Sequence, residues 1–307
     1  MRVLVTGGAG FIGSHLVPAL LAAGHTVTVI DDLRHGLRSN VPDGARLVVM
    51  DIADPGLHEI MDHGAFDGVI HLAAQTRVDI SIRQPVMDAT ANIMGTIHVL
   101  EECRQCGVRR IILASTAAAY GNPPLEVLPI RETYPLQPIS FYGRSKVTAE
   151  SYCRLYHRCF GMEYVVLRFA NVYGERAEVD DEGGVIDIFA KRAAKDMPLS
   201  IYGDGSQSRD YIYVGDIAAG IIAALQTANA NSSYNLSTET EVTLTEIVKR
   251  LAAIAGKTLT PAYVPVRQGD IYRSVLCNAR ARRDLSWQPV TSLDEGLSLT
   301  YRYFLKH

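Results

Sequence analysis

The chain has 307 residues, enough for one large domain or two modest ones with a substantial core. Hydrophobic residues make up 48% and charged residues 21%, the balance of an ordinary globular protein, and no apolar run reaches the length that crosses a bilayer. A net charge of -3 without a basic run offers no footprint for nucleic acid or an acidic membrane. The first apolar run starts almost at residue 1, leaving no room for a signal peptide, so a cytoplasmic address is expected.

Short β-branched runs at residues 3–5, 27–30, 47–50, 69–71, 111–114 and 165–168 alternate with amphipathic helical stretches. This alternation predicts an α/β protein with a doubly wound parallel sheet, covered by helices on both faces, and with ligands gathered at the carboxyl ends of the strands. After Gly174 the rhythm loosens through the acidic, turn-rich "ERAEVDDEGG", where a smaller lobe is expected to begin. The runs "YIYVGDIAAGIIAALQ" and "SYNLS" read as a segment returning to the first domain. The expected division is therefore 1–170 plus 209–236 for the first domain, and 171–208 plus 237–307 for a C-terminal substrate-binding lobe.

The first strand runs into "VLVTGGAGFIG", which sets Gly7, Gly10 and Gly13 at the opening of a helix. Glycines there permit a tight turn and let backbone N–H groups approach a pyrophosphate. The second strand ends in Asp31, where a carboxylate would meet the adenosine ribose hydroxyls and repel a 2′-phosphate, so NAD is expected over NADP. After the third strand, Asp51 and Ile52 are placed to meet the adenine, with a helix cap before "PGLHEIM" the equal alternative for Asp51. Cys103 and Cys106 form a CxxC inside a helical pattern, with no second CxxC or histidine pair, and no metal site is expected.

The fifth strand, "ILASTAAAYG", ends in two hydroxyls, Ser115 and Thr116, followed by three alanines. Downstream, "SFYGRSK" sets Tyr142 and Lys146 four residues apart, on one face of a helix. An ammonium beside a phenol favours phenolate, so the spacing predicts a lowered Tyr142 pKa and a base.

These features together resemble the extended short-chain dehydrogenase/reductase family, and within it the nucleotide-sugar branch typified by UDP-glucose 4-epimerase. The resemblance covers nearly the whole chain and is carried by "TGGAGFIG", "HLAAQ", "STAAAYG", "YGRSK", "LRFANVYG", "IYGDGSQSRDYIYVGDIA" and "RQGDIYRS". It implies a Rossmann-type fold with bound NAD. Phe11, Ile12, Leu72, Ala73 and Ala74 join the glycines as implied cofactor contacts, with Thr116, Tyr142 and Lys146 as the implied catalytic residues.

For the substrate, the resemblance implies a UDP-sugar. Arg209 and Arg267 would clamp its diphosphate with Asn171, Asp270 would take the uridine ribose, and Ser200 and Tyr202 would meet the base. Tyr202 has a core position as its alternative. Gln75 would lie near the reacting sugar with Arg77, whose alternatives are a substrate carboxylate and solvent. The small Ser274 would make room for an N-acetyl group, and Arg273 beside it keeps a uronate in play. In the related dehydratases and decarboxylases acids follow the catalytic threonine; here Ala117, Ala118 and Ala119 stand there. The implied reaction is therefore reversible oxidation at the sugar 4-position through a transient 4-keto intermediate, which is 4-epimerisation. The rivals are a 4-keto-sugar reductase, a dehydratase, and a non-catalytic dinucleotide sensor. A homodimer pairing the helices of "ATANIMGTIHVLEECR" and "YGRSKVTAESYCRLYH" is implied as well.

Overall fold

The computed structural model describes residues 1–177, 184–266 and 272–307. In the first half, strands and helices alternate as β1 (Arg2–Thr6), α1 (Phe11–Ala22), β2 (Thr26–Asp31), β3 (Arg46–Val49), α2 (Leu57–Gly64) and β4 (Gly68–His71). Three helices in near succession follow: α3 (Val78–Arg83), α4 (Pro85–Ala89) and α5 (Gly95–Gln105), the last two joined by a π-helical turn over Thr90–Met94. Then come β5 (Arg110–Thr116), the 20-residue α6 (Phe141–Phe160) and β6 (Glu163–Phe169).

With β10 (Ser232–Leu236), these strands make a seven-stranded sheet in the order β10-β6-β5-β4-β1-β2-β3, parallel at every junction. Period-two alternation explains why both faces are covered. Val3, Val5, Ile112, Val165 and Leu167 point into one core with Leu16 and Leu20 of α1, whereas Leu4, Ile111, Leu113 and Val166 point into the other with Leu57, Val99 and Cys153. Truncating such a fully buried leucine to alanine costs about 2–5 kcal/mol. The strand order reverses between β1 and β4, which opens a crevice at their carboxyl ends.

A smaller lobe is built on β7 (Asn171–Tyr173), α7 (Val185–Ala194), β8 (Ser200–Tyr202), β9 (Ser208–Tyr213), β11 (Glu241–Thr243), α9 (Leu244–Ala255), β12 (Ala262–Val264), β13 (Arg273–Ser274) and α11 (Leu293–Lys306). Its centre is β9, paired with β7, β11 and β13, over a third core of Phe189, Ile201, Ile247 and Leu297.

Two segments run differently from the expected division. Residues 209–213 lie in the small sheet, and the return to the large sheet is made by α8 (Val214–Gln226) and β10. Late in the chain, α10 (Ala279–Leu285) and Trp287 pack into the first core, because Ala281, Leu285 and Trp287 offer it one apolar face and the Trp287 ring N–H donates to the Asp216 carbonyl at 2.9 Å. Among the described residues no helix is long and apolar enough to cross a membrane.

Candidate active site

The carboxyl ends of β1, β2, β4 and β5 open into one continuous cleft of about 2220 Å³, closed on its far side by the smaller lobe. At its cofactor end Gly7 has φ +71°, and a Cβ there would stand 2.5 Å from the Ala73 nitrogen. A Cβ on Gly13 would meet the Gly8 carbonyl oxygen at 2.4 Å. The backbone cradle therefore exists only with glycine at these positions. Helix α1 starts from Gly10 with no side-chain cap and no acid in its first turn, so its N-terminal amides point into the cleft unscreened.

Asp31 is set at the end of β2 by two backbone donors, Ala9 N–H and Leu33 N–H, both at 2.9 Å, and burial pushes its carboxyl up. Asp51 is not a helix cap. Its carboxylate takes the Ala53 N–H and pairs with Arg34 at 3.0 Å, while α2 begins from Gly56. Phe11, Ile12, Asp51, Ile52, Leu72, Ala73 and Ala74 all line this end. A glycine cradle, an uncapped helix start and a fixed carboxylate fit a diphosphate with a ribose hydroxyl pair beside it.

At the chemical end the two hydroxyls of β5 part company, as side chains at adjacent strand positions must. Ser115 is buried and donates to Glu150 at 2.7 Å, and Glu150 is held in turn by Arg168 at 2.7 Å. Thr116 faces the cleft, caps the short turn Ala117–Tyr120 by accepting the Ala118 N–H, and shares the cleft with Tyr142.

Helix α6 carries the other partners. Ser140 caps it by accepting the Gly143 N–H at 3.0 Å, and Gly161 ends it in the left-handed region. Tyr142 and Lys146 stand one turn apart on its cleft face, with the Lys146 ammonium donating to the Ala114 carbonyl at 3.1 Å. Burial pushes the Tyr142 phenol up to about 12, aided by the Asp88 carboxylate and opposed by Thr116. This runs opposite to the lowered pKa expected from the spacing, because desolvation of the anion is the largest influence and Thr116, not Lys146, is the group that opposes it. Burial also pulls Lys146 down to about 8.

Along the substrate side, Asn171, Ser200, Tyr202 and Arg209 line the same cleft as the catalytic residues. Asn171 is tied by its amide N–H to the Asp210 carbonyl at 3.1 Å, and Arg209 donates to the Ser208 and Tyr272 carbonyls at 2.9 and 3.2 Å. Tyr202 is 38% exposed, which removes its core alternative. Gln75 lines the cleft, but its side chain is engaged by Arg77 and Asp88, so it shapes its own loop.

Ser274 is not among the lining residues; it is buried in β13 with Arg209 as its register partner. Arg273 is paired with Glu241, and Arg77 with Asp79. Arg267 and Asp270 lie outside the described residues. Sequence reasoning passed over Asp88 and Asn92, which bond Gln75 from beneath; an aspartate and an asparagine amid a helical pattern were the available signal. The CxxC does not act as a unit: Cys103 is in the core, whereas Cys106 lies 3.9 Å from the His58 ring. Among the described residues His58, Glu102 and Cys106 hold three ligating atoms within 4.8 Å of one another, with His58 and Glu102 already bonded at 2.7 Å.

A doubly wound crevice that ends in a threonine, a tyrosine and a lysine defines a dinucleotide-dependent enzyme of the short-chain dehydrogenase/reductase type. Residues 3–237 match the model of the NAD dependent epimerase/dehydratase family, and the chain belongs to that family, with NAD as its cofactor. It is 40% identical over 297 residues to a putative UDP-glucose 4-epimerase of Methanocaldococcus jannaschii, covering 96% of this chain and 95% of the relative. The fold matches a UDP-glucose 4-epimerase of Thermotoga maritima solved with UDP-glucose, at 40% identity and a TM-score of 0.95, covering 100% and 99% of the two chains. It likewise matches the Thermus thermophilus UDP-glucose 4-epimerase solved with NAD, at 40% identity and a TM-score of 0.93, covering 99% of each.

Proposed function

We propose that this protein is a UDP-hexose 4-epimerase that interconverts UDP-glucose and UDP-galactose through a transient 4-keto sugar. The observation that carries the reading is the end of β5. Thr116 and Tyr142 line the cleft together, the hydroxyl opposing the rise of the phenol, and Ala117, Ala118 and Ala119 follow where an elimination or decarboxylation would need an acid. NAD, when bound, supplies a reversible hydride acceptor and a positive charge that favours the Tyr142 phenolate. Tyr142 takes the proton of the sugar 4-hydroxyl and later returns it, with Thr116 orienting that hydroxyl and Lys146 holding positive charge beneath the pair. Asp31 would hold the adenosine ribose, and the amides of α1 the cofactor diphosphate.

Arg209, with Asn171, would hold the sugar-nucleotide diphosphate while the sugar turns over, and Ser200 and Tyr202 would meet the uracil. Arg267 and Asp270 complete this set by family position. Neutral hexoses lead over uronates because Arg77 and Arg273 already have carboxylate partners. They lead over N-acetylhexosamines because Ser274 does not line the cleft. Exposed Met94, Leu155 and Phe160, on and beside α5 and α6, support a homodimer through these helices.

The test is proton NMR of the anomeric signals with UDP-glucose, UDP-N-acetylglucosamine and UDP-glucuronate in parallel, without reductant. Growth of a galacto signal fastest in the UDP-glucose tube is the expected outcome. No change in any tube, with NAD added, would overturn the assignment, and a requirement for NADPH would point to a reductase.

A further inference from the structure

We propose that Asp88 is a positioning residue for the catalytic pair: its buried carboxylate is the fixed counter-charge for the Lys146 ammonium and tethers the catalytic helix to the Gln75 loop. This rests on the reading of Tyr142 and Lys146 as the reacting pair.

Asp88 sits near the end of the short helix α4 and is 1% exposed. Carboxylates are almost never buried so completely without a cation bonded to them. Here the carboxylate oxygen Oδ1 instead accepts two neutral amides, Gln75 Nε2 at 2.8 Å and Asn92 Nδ2 at 3.0 Å. The amide of Asn92 also reaches the Ser145 hydroxyl at 3.1 Å, and that hydroxyl donates to the Tyr142 carbonyl at 2.9 Å. The π-helical turn over Thr90–Met94 places Asn92 where its amide bonds to Asp88, Ser145 and the Gln75 carbonyl. One amide therefore separates Asp88 from the helical turn that bears Tyr142 and Lys146.

The charge on Asp88 has its counterpart in Lys146. Burial pulls the lysine down to about 8, and Asp88 is the foremost group opposing it, ahead of Glu150 and Cys153 on the same helix. Glu150 is already paired with Arg168 at 2.7 Å and Arg154 at 3.5 Å. From β4, His71 faces the lysine as a neutral ring, pushed down to about 3 and held between Thr6 and Thr96. From β5 the lysine meets the Ala114 carbonyl. Asp88 is thus the carboxylate near Lys146 with no bonded cation of its own among the described residues.

The amide hydrogen bonds alone do not require a charge, since an asparagine Oδ1 would accept the same two donors. Asp88→Asn therefore removes the charge and keeps the shape. The experiment compares wild type and Asp88→Asn, both NAD-loaded, in two measurements. The first is the pH dependence of kcat on the epimerised sugar. The second is the difference absorbance of tyrosinate against pH, each protein referenced to its own Tyr142→Phe counterpart.

Loss of the Asp88 charge makes Tyr142 easier to ionise and lets Lys146 lose its proton earlier, so both limbs of the kcat profile move to lower pH by about one unit. The tyrosinate titration moves the same way, and kcat on the alkaline side falls about tenfold. An unshifted profile and an unshifted tyrosinate titration, with or without a uniform loss of rate, would overturn the proposal and leave Asp88 a structural residue. If wild type epimerises no sugar, the proposed function fails, and the tyrosinate titration still decides the role of Asp88. Asp88→Ser provides the same two readouts if Asp88→Asn does not fold.

Discussion

The two walls of the cleft are built on different plans. On the cofactor wall, the polar groups are fixed by the parallel sheet, its loops and α6: Asp31 by two loop amides, Ser115 by Glu150, Lys146 by the Ala114 carbonyl. The opposite wall rests on strands of two to six residues, and its Tyr202 is 38% exposed. On the proposed function, chemistry falls to the first wall and sugar-nucleotide recognition to the second. Mutations on the first should therefore reach turnover and cofactor retention, and those on the second should reach KM.

The largest effect expected is on the cofactor cradle. Gly7→Ala sets a methyl 2.5 Å from the Ala73 nitrogen in a backbone conformation that alanine resists, so the purified protein should carry no NAD by absorbance and mass spectrometry. Retained NAD at wild-type stoichiometry would break the comparison at its cofactor end. Tyr142→Phe comes next, with kcat lower by about 10³-fold and KM within about threefold, the signature of a group that acts only on the reacting proton. Circular dichroism should show an unchanged fold.

On the recognition wall, Arg209→Ala should raise KM for the UDP-sugar about tenfold and leave kcat within about threefold. A loss confined to kcat would mean that the two walls are not separable. The smallest effect concerns Asp187, a buried carboxyl at the start of α7 whose bonded partner is the Gly174 N–H at 3.1 Å and which burial pushes up to about 8. With the folded-state pKa above the unfolded one, stability drains away as pH rises from the ordinary carboxylate range toward 8. Asp187→Asn keeps the acceptor and removes the charge. It should raise Tm by about 2–4 °C above pH 8 and by less near pH 5, read by calorimetry at both.

What could be read from sequence follows the same division. The glycine cradle, Asp31, Thr116 and the Tyr142–Lys146 spacing are local patterns, set by one turn or one strand end, and all of these residues meet in one cleft. The parallel sheet was legible because its strands alternate with helices at short range. Asp88, Asn92 and Glu150 were not, because they act on residues brought to them across the sheet or from another helix, as with Glu150 and Ser115, 35 positions apart. The Tyr142 pKa ran opposite to expectation for a related reason: spacing pairs the phenol with Lys146 but does not reveal the burial and the Asp88 charge that raise it. In the smaller lobe, strands as short as Arg273–Ser274 carry too little periodicity to fix which way a side chain points, so Ser274 was read toward the sugar.

The last two residues of β5 divide two kinds of work across the thickness of one strand. Ser115 belongs to a buried fastening of Glu150, Arg168, Tyr120 and Asn235, which ties the central strand to α6 and, through Asn235, to β10. Thr116 and Ala118 line the cleft and take no part in that fastening, whereas Ala117 and Ala119 pack toward the core. Ala118 can therefore be rewritten with the framework left standing, which makes this position the natural place to begin converting one sugar chemistry into another by directed evolution.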